Sequence, residues 1–473
     1  MGQEIQSSDF TPEHFAEFQR RLKAETELLR QWIQDGRLNN PEFWGGCELE
    51  AWLIDKSGRP AAINQAFLDR LHSDMVVPEL SIFNIELNTH PGQLCPRLIE
   101  QMHDELDQLF GNCESTAQTL SADLLLIGIL PTVRQADLCL ENITELKRYI
   151  ALNEQIFRLR QGRPIRLDIE GRDKLHLTHD DVMLEAATTS FQVHLKIGVD
   201  RAVRAFNAAK MLSAPLVAIS ANSPFLFDHE LWEETRIPLF EQAISVGGSD
   251  YSKRVTFGIR YAENSIMECF DANLERYPVL LPQLMDDPEE SLPHLRLHNG
   301  TIWRWNRPLV GFSEDGTPHI RIEHRAIPSG PTVVDMIANS AVYFGAMTEL
   351  LYAGANLEQR LPFETAKRNF YAAARDGLDA EATWLDNQNT SMRELCLNQI
   401  LPLARAGLKR LEFEDSAACQ WLDIVRERVN SGRTGSWWQR QWASHHGRDY
   451  NGLVLAYLEN QRRGKPVHLW NIQ

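Results

Sequence analysis

Four segments of the sequence alternate between polar and apolar residues, and this pattern limits the fold more than any other feature. The segments are 47–51 (CELEA), 83–88 (FNIELN), 191–197 (FQVHLKI) and 320–325 (IRIEHR). Because successive side chains of a β-strand point to opposite faces, each segment predicts a strand with one polar and one apolar face. The polar faces would carry Glu48, Glu50, Asn84, Glu86, Asn88, Gln192, His194, Lys196, Arg321, Glu323 and Arg325.

The residue types on these polar faces distinguish two interpretations. An antiparallel sheet with one face in water produces the same alternation, and for a single strand this is the simpler explanation. Faces in water are usually rich in Lys, Thr and Ser, whereas Glu, His, Asn, Gln and Arg recur here, and these residues bind hard cations, phosphates or carboxylates. If the strands adjoin, the glutamates repel each other unless cations neutralise them. Such oxygen-rich ligation suits Mg²⁺, with Mn²⁺ as the alternative, together with nucleotide phosphates.

The common nucleotide-binding and hydrolytic motifs are missing from the sequence. It contains no GxxxxGK[ST] loop, no GxGxxG after a strand, no HExxH and no GxSxG. If the protein uses ATP, it therefore holds the nucleotide by a fold other than the P-loop.

Helical and strand patterns surround the four segments. Thr11–Gln34 is predicted as an amphipathic helix with Thr11 at its N-cap. From about Thr332 the pattern is almost entirely helical, which predicts a layer packed on the same body rather than a tethered domain. The other predicted elements are strands at 124–129 and 165–169 and helices at 96–121 and 145–161.

Charge and composition exclude several classes of protein. A net charge of −17 argues against a general binder of nucleic acids or anionic membranes, because both need a positive field. The longest apolar run, Leu212–Phe227, contains Pro215 and Pro224 and is predicted as buried core rather than a membrane span. The first residues have neither the basic nor the apolar region of a signal peptide, and the seven cysteines show no paired spacing. These features predict a cytoplasmic protein with reduced thiols.

Five motifs, taken in order along the chain, resemble the glutamate–cysteine ligases and related carboxylate–amine ligases. Residues 46–55 (GCELEAWLID) resemble the opening G-x-E-x-E strand of these enzymes, and residues 83–88 resemble their second acidic strand. Residues 190–195 (SFQVHL) and 321–325 (RIEHR) are similar to the Gln/His-bearing strand and the late E-x-R strand. Residues 220–225 (SANSPF) match a tract typical of the family. The resemblance extends over most of the chain, and the ordered set is more specific than any one strand.

The resemblance implies an α+β fold like that of glutamine synthetase, in which a curved antiparallel sheet holds divalent metals and ATP on its polar face and helices pack behind it. The implied organisation is an N-terminal helix at 1–40, a catalytic domain at 41–340 and a helical C-terminal region at 341–473. Carried over by position, the implied metal ligands are Glu48, Glu50, Glu86, His194 and Glu323. The implied nucleotide contacts are Gln192, Asn222 and Arg321, and the implied contacts with the transferred phosphate or the substrate are Arg325 and Arg236.

The resemblance also implies an activity. A substrate carboxylate attacks the γ-phosphate of ATP, and an amine then displaces phosphate from the acyl phosphate to give an amide. Glutamate is the expected acid, and cysteine is one of the amines that the family suggests.

The chain departs from the family pattern after residue 225. There residues 227–236 (FDHELWEETR) replace a Gly-Tyr-rich loop that leads to a substrate-binding arginine in better-known members. Arg236 is the candidate for that arginine, but its surroundings differ, so the identity of the substrates stays open. Two alternatives also stay open: a protein of the same fold that binds nucleotide or amino acid without turnover, and a metal hydrolase that uses the same carboxylates.

Two further tracts combine aromatic and polar residues. Residues 297–307 (LHNGTIWRWNR) are predicted in a loop region, where they either contact substrate or nucleotide or form aromatic core. Residues 434–439 (TGSWWQ) either close over the active site or form the packed start of a helix.

Overall fold

The computed structural model describes residues 4–40, 42–247, 252–354 and 356–472. The α-helices are α1 (Pro12–Gln34), α2 (Asn64–Leu71), α3 (Leu98–Thr119), α4 (Lys147–Leu159), α5 (Val199–Ser220), α6 (Arg236–Ala243), α7 (Met267–Arg276), α8 (Pro293–Gly300), α9 (Val333–Tyr352), α10 (Leu357–Arg360), α11 (Phe363–Asp376), α12 (Met392–Leu395), α13 (Leu401–Arg410), α14 (Asp415–Ser431), α15 (Gly435–His446) and α16 (Tyr450–Arg462). The β-strands are β1 (Trp44–Asp55), β2 (Val76–Pro78), β3 (Asn84–Asn88), β4 (Gly92–Gln93), β5 (Ala122–Leu125), β6 (Ile165–Glu170), β7 (Lys174–His179), β8 (Phe191–Ile197), β9 (Phe225–Leu226), β10 (His229–Glu230), β11 (Asn306–Phe312), β12 (Pro318–His324), β13 (Glu381–Thr383) and β14 (Asn389–Ser391).

One curled antiparallel sheet forms the centre of the molecule. Its strands lie in the order β11-β12-β8-β1-β3-β2, and β4 and β5 also pair with β1. All of these pairings are antiparallel. The four strands that the alternation predicts are therefore neighbours in the sheet, in the order β12, β8, β1, β3. This confirms the predicted α+β class with an antiparallel sheet.

The apolar face of the sheet packs on helices and forms the larger of two cores. Leu49 and Ala51 of β1 and Val193 and Leu195 of β8 all lie in this core. Behind them lie α3, α5 and α9, which also pack on one another. Since alternation sends every second side chain to this face, the same sequence pattern that buries these residues leaves the glutamates on the opposite face.

Helix α5 runs through the long apolar segment of the sequence. Pro215 lies inside the helix instead of ending it, and the helix stops at Ser220, before Pro224. By length and composition α5 could cross a membrane, but 89% of its apolar stretch is buried inside the protein. The prediction that this segment is buried core is therefore confirmed, although the helix is more continuous than the prolines suggested.

A second core covers one end of the polar face. Trp52 and Ile54 follow Glu48 and Glu50 on the same face of β1, yet both are fully buried among apolar side chains. Their neighbours in this core come from the β6–β7 ribbon and from α15 and α16, including Trp438. The polar face of the sheet is thus divided between a charged part and a closed apolar part.

Other predicted elements agree with the structure in position but not always in role. The first helix begins after Thr11, as predicted. The strand predicted at 165–169 forms, but it pairs with β7 in a separate ribbon rather than with the main sheet. The region after Thr332 is helical except for the short β13–β14 hairpin. The predicted division into three parts stays a prediction, and α9 runs across the predicted boundary at residue 340.

Candidate active site

The strand register brings the predicted acidic residues together. Glu50 of β1 lies opposite Glu86 of β3. On the other side of β1, Glu48 lies opposite Gln192 of β8. One strand further along, His194 of β8 lies opposite Glu323 of β12. The predicted polar residues therefore form one continuous surface across four strands.

This surface lines a cavity with a volume of about 210 Å³. The carboxylates of its wall are buried or half-buried, whereas Arg296 is exposed. The charged and polar residues of its wall are Glu48, Glu50, Glu79, Glu86, Arg148, Tyr149, Glu185, Gln192, Arg296, Asn299, Thr301, Arg307, Arg321, Glu323 and Arg325. Its apolar residues include Leu80, Leu152, Val182, Leu281 and Trp303.

Two groups of possible metal ligands lie side by side at this cavity, and all of their members except His194 line it. We call Glu48, His194 and Glu323 the histidine cluster, and Glu50, Glu79 and Glu86 the glutamate cluster. In each cluster the ligand atoms lie within 4.8 Å of one another. Glu48 and Glu50 are two residues apart on β1, so a single strand contributes to both clusters.

In the histidine cluster, positive groups surround the carboxylates. Nε2 of His194 lies 3.1 Å from Oε1 of Glu48 and 4.0 Å from Oε1 of Glu323. Arg307 donates two hydrogen bonds to Glu323, of 2.8 and 3.0 Å, and Arg325 lies 3.3 Å from the same carboxylate. Burial raises the pKa of Glu323, but the charges of Arg307 and Arg325 outweigh burial and lower that pKa to about 2. Glu323 is therefore ionised at any physiological pH.

The glutamate cluster lacks comparable compensation. Burial and the negative charge of Glu48 raise the pKa of Glu86 to about 8. Burial raises the pKa of Glu50 to about 7, although Arg325 opposes the shift. The pKa of Glu79 is also raised, by burial and by the charge of Glu50. Three carboxylates that resist ionisation side by side attract any cation that can enter.

Hydrogen bonds hold the carboxylates of the glutamate cluster in place. Glu50 accepts from the backbone N–H of Ser190 at 2.6 Å and from Nε2 of Gln192 at 3.0 Å. Glu86 accepts from Nδ2 of Asn88 at 3.0 Å. Gln192 also accepts a hydrogen bond from Arg325, so one amide connects the glutamate cluster to the arginine beside the histidine cluster.

The donor set fits divalent cations. Oxygen-rich carboxylate groups with one imidazole are ligands that Mg²⁺ and Mn²⁺ accept. His194 is buried; its Nε2 faces Glu48 at 3.1 Å, and its Nδ1 has no hydrogen-bond partner among the residues that the structure describes. Because buried polar nitrogens normally have a partner, this imidazole is suited to ligate an ion.

The structure places two of the predicted site residues elsewhere. Arg236 is fully buried and does not line the cavity. Its Nε lies 3.2 Å from Glu234, and its other nitrogens donate to the backbone carbonyls of Arg325 and Ala326. These contacts engage the donors of Arg236 inside the protein. Arg236 therefore stabilises the backbone at the end of β12 and does not line the cavity.

Asn222 is the second of these residues. Its Nδ2 donates to the carbonyl of Ser329 at 2.7 Å and to the hydroxyl of Tyr457 at 2.9 Å. Its Oδ1 accepts from Nε2 of Gln439 at 3.0 Å. The SANSPF tract therefore ties α5 to the C-terminal helices, and Asn222 does not reach the cavity. The tract at 434–439 forms the packed start of α15, with Thr434 capping the helix.

Several residues of the cavity were missed by the sequence analysis. Glu79 follows the short strand β2, and Glu185 lies in the turn before β8. Neither has an alternating pattern around it, so only the fold brings them to the cavity. Burial and the charge of Glu79 raise the pKa of Glu185 well above its usual range. Arg307 lies in the tract 297–307, at the start of β11, where polar and apolar residues do not alternate, so no signal in the sequence marks its place in the sheet.

Comparisons with known proteins agree with this site. The family described as "Glutamate-cysteine ligase family 2 (GCS2)" matches residues 45–454. Among solved structures, the chain is similar to a glutamate–cysteine ligase from Francisella tularensis in complex with AMP, with a TM-score of 0.56 and 13% identity over 92% of this chain and 91% of that one. It is also similar to a bifunctional glutathione synthetase from Pasteurella multocida, with a TM-score of 0.53 and 9% identity over 95% of this chain and 55% of that one. No curated protein sequence matches the chain.

The two solved structures share the fold of this chain, and the family match covers most of the chain, including all four alternating strands. The family match favours a ligase over a metal hydrolase and over a binding protein without turnover. The chain belongs to glutamate–cysteine ligase family 2 and is an ATP-dependent C–N ligase.

Proposed function

We propose that this ligase joins the carboxylate of an amino acid, with glutamate the favoured acid, to an amine through an acyl phosphate. The observation that carries the proposal is the pair of carboxylate clusters in one cavity, with Arg307, Arg321 and Arg325 on the same wall. Arginines of this kind hold an acidic substrate inside a protein whose net charge of −17 would otherwise repel it.

The reaction has two steps. A carboxylate oxygen of the acid attacks the γ-phosphorus of ATP, and the bond to ADP breaks. The nitrogen of a neutral amine then attacks the acyl carbon, phosphate leaves, and the nitrogen loses a proton to give the amide. Both steps develop charge on phosphoryl oxygens, so fixed positive groups stabilise both transition states.

The residues of the histidine and glutamate clusters are suited to hold the divalent cations of this reaction. When bound, such cations neutralise the phosphate charges and act as Lewis acids on the phosphoryl oxygens. Arg307 keeps Glu323 ionised and in a fixed orientation through its two hydrogen bonds, so that this ligand needs no rearrangement when a cation arrives.

Arg325 is the residue that we assign to the reacting phosphate or the substrate carboxylate. It lies between the clusters, contacting Glu323 on one side and Gln192 on the other. Its Nε is buried and has no hydrogen-bond partner among the described residues. A guanidinium with a donor to spare can bind an oxyanion in the cavity without breaking its existing contacts.

Arg321 and the apolar part of the wall complete the proposed binding surface. The Nε of Arg321 also lacks a hydrogen-bond partner within the described part of the chain. Leu80, Leu152 and Trp303 exclude water from the space beside the clusters. Water exclusion protects an acyl phosphate from hydrolysis and strengthens the charge interactions around it. A cytoplasmic location and a role in glutathione biosynthesis are further expectations from the family.

The test is a substrate panel read by product mass and by release of ADP and phosphate. The full chain is incubated with Mg²⁺, ATP, glutamate and a series of amines that includes cysteine. We expect sustained ADP release that requires both an acid and an amine, and a product whose mass equals acid plus amine minus water. ADP release without an amide product would contradict the proposal.

A double variant supplies the matched control. Glu50→Gln together with Glu323→Gln removes one carboxylate from each cluster and should abolish turnover while leaving the fold intact. Glu100→Gln makes the same chemical change on the exposed surface of α3 and should leave turnover unchanged. A fully active double variant would refute the assignment of the clusters.

A further inference from the structure

A second cavity lies on the opposite side of the sheet from the candidate active site. Its volume is about 60 Å³, several times the roughly 10–15 Å³ that one water needs. Its wall is formed by α5, by the segment 256–262, by α7 and by Arg304. None of the residues that line the active-site cavity lines this one.

The charge of this second cavity is positive in a protein that is strongly negative overall. Four of its lining residues are cationic, namely Lys210, Arg260, Arg276 and Arg304, and Glu268 is the only carboxylate among the lining residues that the structure describes. Glu268 is already engaged, because its carboxylate lies 2.6 Å from Arg260. The wall therefore carries an excess of positive charge.

Arg304 is the most unusual of these residues. Arg304 is only 7% exposed, and its Nη1 is buried with no hydrogen-bond partner among the described residues. Within the described part of the chain Arg304 forms no ion pair, and its guanidinium carbon lies 5.5 Å from the centre of the Tyr277 ring. Burying a charged group is costly unless it is paired and hydrogen-bonded, so this guanidinium lacks the partner that its position requires.

Lys210 of helix α5 is a second buried cation in the wall of this cavity. It is 1% exposed, and within the described chain its ammonium makes one hydrogen bond, to the carbonyl of Phe257, and no ion pair. The rings of Phe206 and Phe257 lie 4.7 and 5.1 Å from Nζ. These aromatic faces favour a cation only weakly compared with a carboxylate or phosphate.

Burial is the largest of the effects that bring the pKa of Lys210 down to about 7. The charge of Arg304 is a second effect in the same direction, and Cys269 opposes both. An oxyanion between the two side chains would reverse the second effect and supply acceptors to both. Gly258 leaves room for this arrangement, because a Cβ at that position would lie 2.7 Å from Nζ of Lys210.

We propose that the cavity between α5 and α7 is a binding site for a small oxyanion, held by Lys210 and Arg304. The ligand class is a phosphate or a carboxylate group, since both present oxygens that suit an ammonium and a guanidinium. The site is separate from the active-site cavity and requires neither ATP nor a metal.

The test measures binding to the full chain in the absence of ATP and Mg²⁺. The thermal midpoint and the heat of titration are followed as sodium phosphate is added, with sodium chloride at matched ionic strength as the control. We expect a saturable rise of the midpoint with phosphate, because a ligand that binds only the folded state stabilises it. A parallel titration with sodium acetate separates the ligand classes: a response to phosphate alone assigns a phosphoryl group, and a response to both assigns a general oxyanion site.

Substitutions locate the binding. Lys210→Met and Arg304→Met should each weaken phosphate binding by about tenfold or more, as expected for the loss of a charge-assisted contact. Without added anion, both variants should melt at or above the midpoint of the unmodified chain, because each removes an uncompensated buried charge. Arg304→Gln, which keeps hydrogen-bonding atoms without the charge, replaces Arg304→Met if that variant does not fold.

Arg20→Met is the matched control, because it removes an exposed guanidinium from α1, away from both cavities. It should leave the response to phosphate intact. The proposal is overturned if phosphate binding survives Arg304→Met but is lost in Arg325→Met, since phosphate would then bind only in the active-site cavity. It is also overturned if the unmodified chain responds saturably to neither anion.

Discussion

The histidine cluster and the glutamate cluster lie side by side, yet their charges are balanced differently. Arg307 and Arg325 compensate the first cluster, and the pKa of Glu323 falls to about 2. The second cluster has no arginine in ion-pair contact among the described residues, and burial with mutual repulsion raises the pKa of Glu50 to about 7 and that of Glu86 to about 8. Arginines of the protein therefore keep the first cluster ionised, whereas protons neutralise the second cluster unless a cation binds.

The largest expected effect tests whether turnover needs both clusters. Glu48→Gln in the histidine cluster and Glu86→Gln in the glutamate cluster should each lower kcat/KM by about 10³-fold, which corresponds to about 4 kcal/mol of transition-state stabilisation. Steady-state ADP release with saturating Mg²⁺ measures the loss. If one variant keeps full activity, its cluster is not part of the catalytic site and the comparison between the clusters loses its functional meaning.

The next effect concerns the arginine that compensates the histidine cluster. Arg307→Met should reduce the free energy of unfolding by about 3 kcal/mol, because it leaves the buried carboxylate of Glu323 with a weaker set of partners. Urea denaturation measures the change. Arg20→Met removes an exposed ion pair on α1 and should leave the stability unchanged. Equal stability of Arg307→Met and the unmodified protein would mean that Glu323 is compensated without Arg307.

The pH dependence of stability should separate the clusters. The pKa values of Glu50 and Glu86 are raised above 4.5, so the folded state holds protons that the unfolded state has lost. The contribution of these two carboxyl groups to the stability of the metal-free protein should therefore be lost as pH rises from about 4.5 to about 8. The lowered pKa of Glu323 has the opposite sign, and its contribution is lost only as pH falls below about 4.5.

Thermal midpoints between pH 5 and pH 8 measure this dependence, once with EDTA and once with Mg²⁺. The fall toward pH 8 should appear with EDTA and should be reduced by Mg²⁺, because a bound cation stabilises the ionised carboxylates. The double variant Glu50→Gln with Glu86→Gln is measured alongside, because the lowered pKa values of the buried His298, His319 and His324 act on stability in the opposite direction. An equal pH dependence of the unmodified chain and the double variant would contradict the raised pKa values.

The smallest effect is a gain in stability. Glu86→Gln removes one charge from the crowded glutamate cluster and keeps an acceptor for Asn88. In the metal-free protein at pH 8 it should raise the free energy of unfolding by about 1–2 kcal/mol, since it relieves repulsion and burial of a charge. Glu323→Gln, measured in the same way, should lower it. If both variants shift stability in the same direction, the two clusters do not differ in charge balance.

Most of the candidate site could be predicted from the sequence because it lies on alternating strands. Alternation predicts one surface that carries Glu48, Glu50, Glu86, His194 and Glu323. All five residues are members of the two clusters in the structure. Alternation is a property of the extended backbone and needs no knowledge of the fold.

The two predicted site residues that do not line the cavity share a different feature. Arg236 and Asn222 lie outside the regular strands, and their roles were carried over from a family whose pattern changes at that point. In the structure both residues are fully buried, and their hydrogen bonds connect distant parts of the chain. A polar side chain in a buried loop must satisfy its donors locally, and the sequence does not show which neighbours will do so.

By itself, the sequence determined which side chains share a face of each strand and which chemistry that face could support. Only the tertiary structure decided the order of the strands, the arrival of Glu79 and Glu185 from loops, and the pairing of Arg307 with Glu323. The physical reason is that the pKa of a carboxylate depends on burial and on charges within a few ångströms, whatever their separation in sequence. The sequence therefore determines the carboxylate surface, and the fold determines the division of that surface into a compensated and an uncompensated cluster.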